Sequence, residues 1–238
     1  MTPALAAPAA RELDGSRPVG PQIYRSLRER IVRTELLPGT RLSEAETAAA
    51  YGTSRQPVRE AFSRLADDRL LEVRPQRATL VRRISRAATL EARFLREAIE
   101  ADLARVAARR ADAASLAALE AALEDQRAVP ADAPERFMAL DEDFHRALAR
   151  AAGHAHAWRI IEGFKAHMDR VRFLALRRFP VAALLAQHEA VFDAVAARRP
   201  GAAERAMRTH LNAIVDDLPS IVAAYPALFD DAPPAPPR

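Results

Sequence analysis

Between residues 22 and 84 the apolar positions come in short groups separated by breakers. Ile23, Leu27 and Ile31 recur at helical spacing and stop at Leu37-Pro38-Gly39. Ser43 and Glu46 have the spacing of a capping box for a second short helix, which Gly52 ends. Thr53 or Ser54 can then cap a third helix in which Pro57 falls within the first turn, where a missing amide hydrogen is harmless. Val58, Phe62 and Leu65 form its inner stripe, and Arg55 and Arg59 share the opposite side. Leu71-Glu72-Val73 and Thr79-Leu80-Val81 read as two short strands around a tight turn.

From residue 86 onward the texture changes to long helical periodicity without a credible strand. The pattern predicts helices near 86–110, 112–128, 135–151, 155–178, 181–198 and 202–217. The breaks fall at Val129-Pro130, Gly153, Pro180 and Arg198-Arg199-Pro200-Gly201. The expected fold is therefore mostly α. A winged helix-turn-helix of three helices and a β-hairpin occupies 21–84, and an all-helical bundle occupies 86–225. Ala- and Pro-rich ends, 1–20 and 226–238, are expected to be disordered tails.

Composition sharpens this division. The chain of 238 residues is 50% hydrophobic but only 5% aromatic, so its cores must be built mainly from aliphatic side chains. It has no cysteine, which excludes disulfides and thiolate metal sites and fits a reducing cytoplasm. No apolar stretch approaches the roughly 18 residues of a membrane span, and no basic-then-apolar leader opens the chain. The formal charge is +4, but residues 22–83 hold thirteen arginines against eight acids, while the rest is close to neutral. A basic surplus confined to the first third points to a polyanionic partner there.

A helix whose polar N-terminal face offers Ser54, Arg55 and Arg59 fits a major groove, where arginine can read guanine or clamp phosphate. The hairpin tip adds Arg74, Gln76 and Arg77, with Arg82 and Arg83 behind them, as a wing for the neighbouring groove or backbone. The segments P-G-T-R-L-S-E-A, G-T-S-R-Q-P-V-R-E-A-F-S-R-L and L-L-E-V-R-P resemble the winged helix-turn-helix of the GntR family of bacterial transcription regulators. That resemblance implies operator contacts from Ser54, Arg55 and Arg59, and from the wing near Gln76 and Arg77. Arg69 and Ala78 stand where the family often has glycine, and Ala45 where some members carry an arginine that touches DNA.

The second half places polar groups on buried stripes. Asp141 and His145 lie between Phe137, Phe144 and Leu148. His188 lies in the stripe of Leu184, Val191, Phe192 and Val195, and His210 in that of Ala203, Met207, Ile214 and Leu218. His188 and His210 are nearly equidistant from the Arg198–Gly201 turn, so an antiparallel hairpin brings them level about 16 Å from it. One carboxylate and three imidazoles from three helices make a candidate N₃O site for a divalent ion. Imidazole donors favour zinc, with nickel and manganese as alternatives. His154, His156 and His167 fall near a loop or off a clean stripe and are left as structural or surface groups.

The segments L-R-E-A-I-E, L-D-E-D-F-H-R-A-L, Q-H-E-A-V-F-D-A-V and M-R-T-H-L resemble the FCD effector domain of the FadR subfamily of GntR regulators. The resemblance implies a helical, usually dimeric domain in which the matching Asp and three His hold a metal and a small carboxylate effector reaches it. Arg96 matches an arginine suited to a bidentate carboxylate contact, with an i, i+4 salt bridge to Glu100 as its alternative role. A cytoplasmic homodimeric repressor of double-stranded operator DNA, without catalytic residues or membrane contact, is the function expected. Two alternatives stay open. In one the metal itself is the signal. In the other the metal activates water for hydrolysis, although Glu142 points about 100° away from Asp141 around the helix and supplies no base on the buried face.

Overall fold

The computed structural model describes residues 13–74, 78–130 and 133–230. The chain divides into two units: one runs to Ser85 and takes in the segment from Ala227, and the other spans Arg86–Pro226.

In the first unit, α1 (Val19–Val32), α2 (Glu44–Ala50) and α3 (Arg55–Asp67) surround a small core of Ile23, Leu27, Ile31, Val58, Phe62 and Leu65, all buried. These are the residues of the predicted stripes. Polar ties fix α1 against its neighbours. The Tyr24 hydroxyl donates to Asp68 at 2.5 Å, the Arg64 guanidinium lies 4.1 Å over the Tyr24 ring, and Ser26 and Tyr51 share a 2.7 Å hydroxyl bond. Ser43 caps α2, its hydroxyl accepting from the Glu46 amide. Ser54 is the N-cap residue of α3 with extended backbone and no side-chain capping bond, so its hydroxyl stays on the exposed face.

The hairpin is β2 (Leu71–Arg74) and β3 (Ala78–Val81), antiparallel with Leu71 opposite Val81 and Arg74 opposite Ala78. A two-residue strand, β1 (Arg41–Leu42), pairs with the other edge of β3, giving the order β1-β3-β2. Its brevity hides it from period-2 pattern reading. Arg69, between α3 and β2, has φ +60°, the conformation for which glycine is preferred. The chain makes that tight reversal with an arginine all the same.

The C-terminal end departs from the expected tail. A 3₁₀ turn, Pro226–Leu228, leads to Phe229, which is buried against the first unit. There the Ile84 amide donates to the Leu228 carbonyl at 2.8 Å, the Asp230 amide donates to the Ile84 carbonyl at 3.0 Å, and Arg83 donates to the Phe229 carbonyl. One aromatic anchor and a short backbone ladder thus order residues that proline content alone marks as disordered. At the other end, order begins before residue 20: the Gln22 side chain bonds the Asp14 backbone ahead of α1. The expected tails over 1–12 and 231–238 lie outside the described residues.

The second unit is helical throughout: α4 (Arg86–Arg110), α5 (Ala113–Arg127), α6 (Pro134–Ala151), α7 (Ala155–Glu162), α8 (Ala166–Leu176), α9 (Val181–Ala196) and α10 (Pro200–Ala224). Alanines 101, 104, 107 and 108 on α4 are buried and let α10 run close alongside it. The core joins Leu119, Leu123, Phe144, Leu148, Trp158 and Val191 with their neighbours. Two boundaries differ from expectation. The helix expected over 155–178 breaks after Glu162 at Gly163-Phe164-Lys165, giving α7 and α8. The last helix continues through Pro219 to Ala224, because Leu218 and Ile221 remain on its buried side.

Phe229→Ala should remove about 3 kcal/mol of stability, lowering the urea midpoint without changing the slope of the transition. An unchanged midpoint would mean that the C-terminal anchor contributes nothing to the fold.

Candidate functional site

Three helices bring Asp141 and His145 (α6), His188 (α9) and His210 (α10) together. All four are buried, and one donor atom from each lies within 4.8 Å of the others. Asp141 and His145 share a face because they are four apart on α6. His188 and His210 meet across the α9–α10 hairpin with ring centroids 4.5 Å apart. The apolar stripes that pull these faces inward carry the polar groups with them.

The outer partners decide which nitrogens face the centre. His188 Nδ1 lies 2.7 Å from the Gln126 side-chain oxygen, and the Gln126 amide nitrogen donates to the Leu140 carbonyl at 3.1 Å. That second bond fixes the orientation of the amide, so its oxygen must accept and His188 Nδ1 must carry the hydrogen. His145 Nδ1 contacts the Glu100 carboxylate, which also only accepts, and His210 Nδ1 lies 3.1 Å from the Gln187 side-chain oxygen. His188 is thereby fixed with its Nε2 lone pair inward, and a ligating set requires the same tautomer at His145 and His210, whose Nδ1 atoms face Glu100 and Gln187. His145 Nε2 and His210 Nε2 are then 3.1 Å apart, and His188 Nε2 lies 3.3 Å from Asp141 Oδ1. Asp141 Oδ2 has no hydrogen-bond partner. Lone pairs facing each other and a carboxylate in a dry interior repel unless a cation lies among them. The donor set therefore fits a divalent ion.

The local charges agree. Burial opposes ionisation of Asp141, yet the adjacent Arg172 guanidinium holds its carboxyl well below the usual range. Burial likewise opposes ionisation of Glu100, but Arg96 and His145 bring it down to about 2. Burial lowers His188, and burial above all lowers His210 well below the ordinary imidazole value. A neutral imidazole is the form that ligates. Glu142, beside Asp141, pairs with Lys165 and is not among the converging groups.

A cavity of about 280 Å³ opens beside the cluster, lined by Arg96, Arg172, Gln187 and His210 at one end and by aliphatic residues of α8, α9 and α10 beyond. Of the two roles expected for Arg96, the i, i+4 salt bridge to Glu100 is formed. Its Nε donates to Glu100 at 2.5 Å, while its buried Nη2 has no hydrogen-bond partner and the residue lines the cavity. Arg172 pairs with Asp141.

In the first unit Arg55 and Arg59 are exposed on α3, and both reach Glu44 at the start of α2. Arg55 lies at 3.3 Å, and Arg59 makes two bonds at 3.3 and 3.1 Å. Arg74 pairs with Glu72 along β2. Gln76 and Arg77 lie outside the described residues. Ala45 is exposed on α2 beside Glu44.

Sequence reading missed the supporting residues Glu44, Gln126, Gln187 and Arg172. Gln126 carries a signal in hindsight, since it continues the buried stripe of Leu119 and Leu123 as its only polar member. Glu44 and Arg172 carry none, because their partners lie on other helices.

An exposed arginine-bearing helix in a winged helix-turn-helix, followed by a helical domain, is the architecture of a transcription regulator. Residues 20–81 match the domain described as bacterial regulatory proteins, gntR family, and residues 91–213 match the FCD domain. The chain is similar to the HTH-type transcriptional repressor RspR of Escherichia coli (strain K12), 41% identical over 212 residues, covering 88% of this chain and 93% of that protein. An uncharacterised HTH-type regulator in an unstable DNA locus of Streptomyces ambofaciens is 40% identical, covering 87% of this chain and 88% of the relative. Among solved structures, a GntR regulator from Rhodococcus sp. RHA1 superposes with a TM-score of 0.67 at 27% identity, covering 87% of this chain and 98% of that one. The chain belongs to the GntR family of bacterial regulators and carries an FCD domain; it is a transcription regulator and not an enzyme.

The metal-free protein should lose stability between pH 7 and pH 5. His188 and His210 are held below their ordinary value when folded, so the unfolded chain takes up protons first, below about pH 6.5. Two such groups give a slope approaching about 2.7 kcal/mol per pH unit. Asp141, also lowered, adds a further loss below about pH 4. Urea melts in chelator at a series of pH values would measure this, and a flat profile across pH 5–7 would contradict the neutral, outward-donating assignment.

Proposed function

We propose that the chain is a repressor whose helical domain binds a divalent metal through Asp141, His145, His188 and His210 and senses a small carboxylate there. The convergence of three Nε2 lone pairs and a carboxylate in a dry interior carries this reading. When bound, a divalent cation supplies the positive charge that neutralises Asp141 and attracts an acid. Zinc suits the imidazole-rich set, with nickel and manganese as alternatives. Glu100, Gln126 and Gln187 hold the imidazoles in the ligating tautomer. Arg96 offers Nη2 to the effector carboxylate from the wall of the same cavity.

The first unit binds double-stranded operator DNA through Ser54, Arg55 and Arg59 on α3 and through Gln76 and Arg77 at the hairpin. The basic surplus of residues 22–83 and the names of its repressor relatives support this. Glu44 holds both arginines in a common fork, which favours base reading over indiscriminate attraction to phosphate. Two copies act together as a homodimer on a two-fold operator, in the cytoplasm where that DNA resides. Effector binding changes operator affinity only as far as it prefers one arrangement of the DNA heads over the other.

Arg59→Ala should weaken binding to operator fragments selected from random DNA and reduce the slope of log affinity against log salt by about 1. Unchanged affinity would remove α3 from the interface. Glu44→Gln should raise affinity for non-specific DNA and narrow the specificity ratio; an unaltered ratio would reduce Glu44 to a bystander. His188→Ala should lower the bound metal measured by plasma mass spectrometry and abolish the response to acids, while operator binding persists. Full metal occupancy in that variant would refute the site, and a response to metal without any acid would make the metal the signal.

A further inference from the structure

The cavity beside the cluster carries more information than a carboxylate site requires. His210, Leu211, Ile214 and Asp217 line it from α10, so it extends about two helical turns, roughly 10 Å, from the cluster. Over the same length α9 contributes Leu184 and Val181, and α8 with the turn after it contributes Leu176 and Phe179. Its polar groups are few and largely committed. Arg172 is paired with Asp141, and Gln187 turns its oxygen to His210. Arg96 Nη2 remains, buried and without a partner, and it faces the same end as the cluster.

We infer that the cavity selects a monocarboxylic acid with an uncharged, apolar body, in preference to a polyhydroxylated acid or a dicarboxylate. This rests on the carboxylate-sensing reading above. The acid group takes the Arg96 end, and the body fills the sleeve of Leu176, Phe179, Leu184 and Ile214. Hydroxyls on the part of that body held between the cluster and Asp217 would lose water without gaining partners, since the side chains of Leu176, Phe179, Leu184 and Ile214 offer neither donors nor acceptors. A second carboxylate would lie toward Asp217, whose own carboxyl is raised by burial and by Asp216 and so already disfavours negative charge.

Three acids of six carbons isolate the body from the head. Hexanoate, gluconate and adipate are titrated calorimetrically into the zinc-loaded full-length protein, with hexan-1-ol as the headless control. Hexanoate should bind at least tenfold tighter than gluconate or adipate, and hexan-1-ol should bind more weakly than hexanoate. Affinity should also rise about fourfold per methylene from butyrate to hexanoate. Ile214→Thr, which shortens the side chain and puts a hydroxyl on the apolar wall, should weaken hexanoate and leave gluconate unchanged. Gluconate or adipate binding as tightly as hexanoate would overturn the inference while leaving the carboxylate reading intact. Hexan-1-ol matching hexanoate, or no acid binding at all, would overturn the carboxylate reading and this inference with it.

Discussion

Three imidazole rings and a carboxylate converge in the buried interior of the helical unit. In water such groups would each be hydrated; here His145, His188 and His210 face one another and Asp141. An arrangement of this kind costs several kcal/mol if left uncompensated. The surrounding structure nonetheless favours it, since Gln126 holds Nδ1 as the donor on His188, and Glu100 and Gln187 face Nδ1 of His145 and His210. A fold that orients repelling groups so specifically is preorganised for a positive partner, and the position of Arg172 on Asp141 meets part of that demand from the protein itself.

The scaffold follows from the same constraint. To bring α6, α9 and α10 to one point, the bundle packs small residues on α4 against α10 and turns α9 back on α10 through a short hairpin. The cavity then forms where α8, α9 and α10 line its walls, with Arg96 of α4 set in the wall beside the cluster. Site and scaffold are thus not separable: Glu100 faces His145 and also holds Arg96, which lines the cavity. In the first unit Glu44 has a comparable double attachment to Arg55 and Arg59.

Much of this was legible from residue spacing. Asp141 and His145 are four apart in a stripe, and His188 and His210 are equidistant from a turn, so helical rise alone brings them level. Ile23, Leu27, Val58 and Phe62 announced the first core in the same way. What spacing could not supply was any contact between helices that do not follow one another. Gln126 reaches His188 from α5, Arg172 reaches Asp141 from α8, and β1 is too short to show a period. Nor could composition reveal that Phe229 outweighs the prolines around it, because one buried ring orders a segment only where a complementary surface already exists.

Zinc-edge X-ray absorption on zinc-loaded, desalted protein tests the central claim most directly. The account predicts nitrogen and oxygen donors at about 2.0–2.1 Å with the outer scattering pattern of several imidazole rings, lost in His188→Ala. A spectrum of hydrated zinc with oxygen neighbours alone would contradict it.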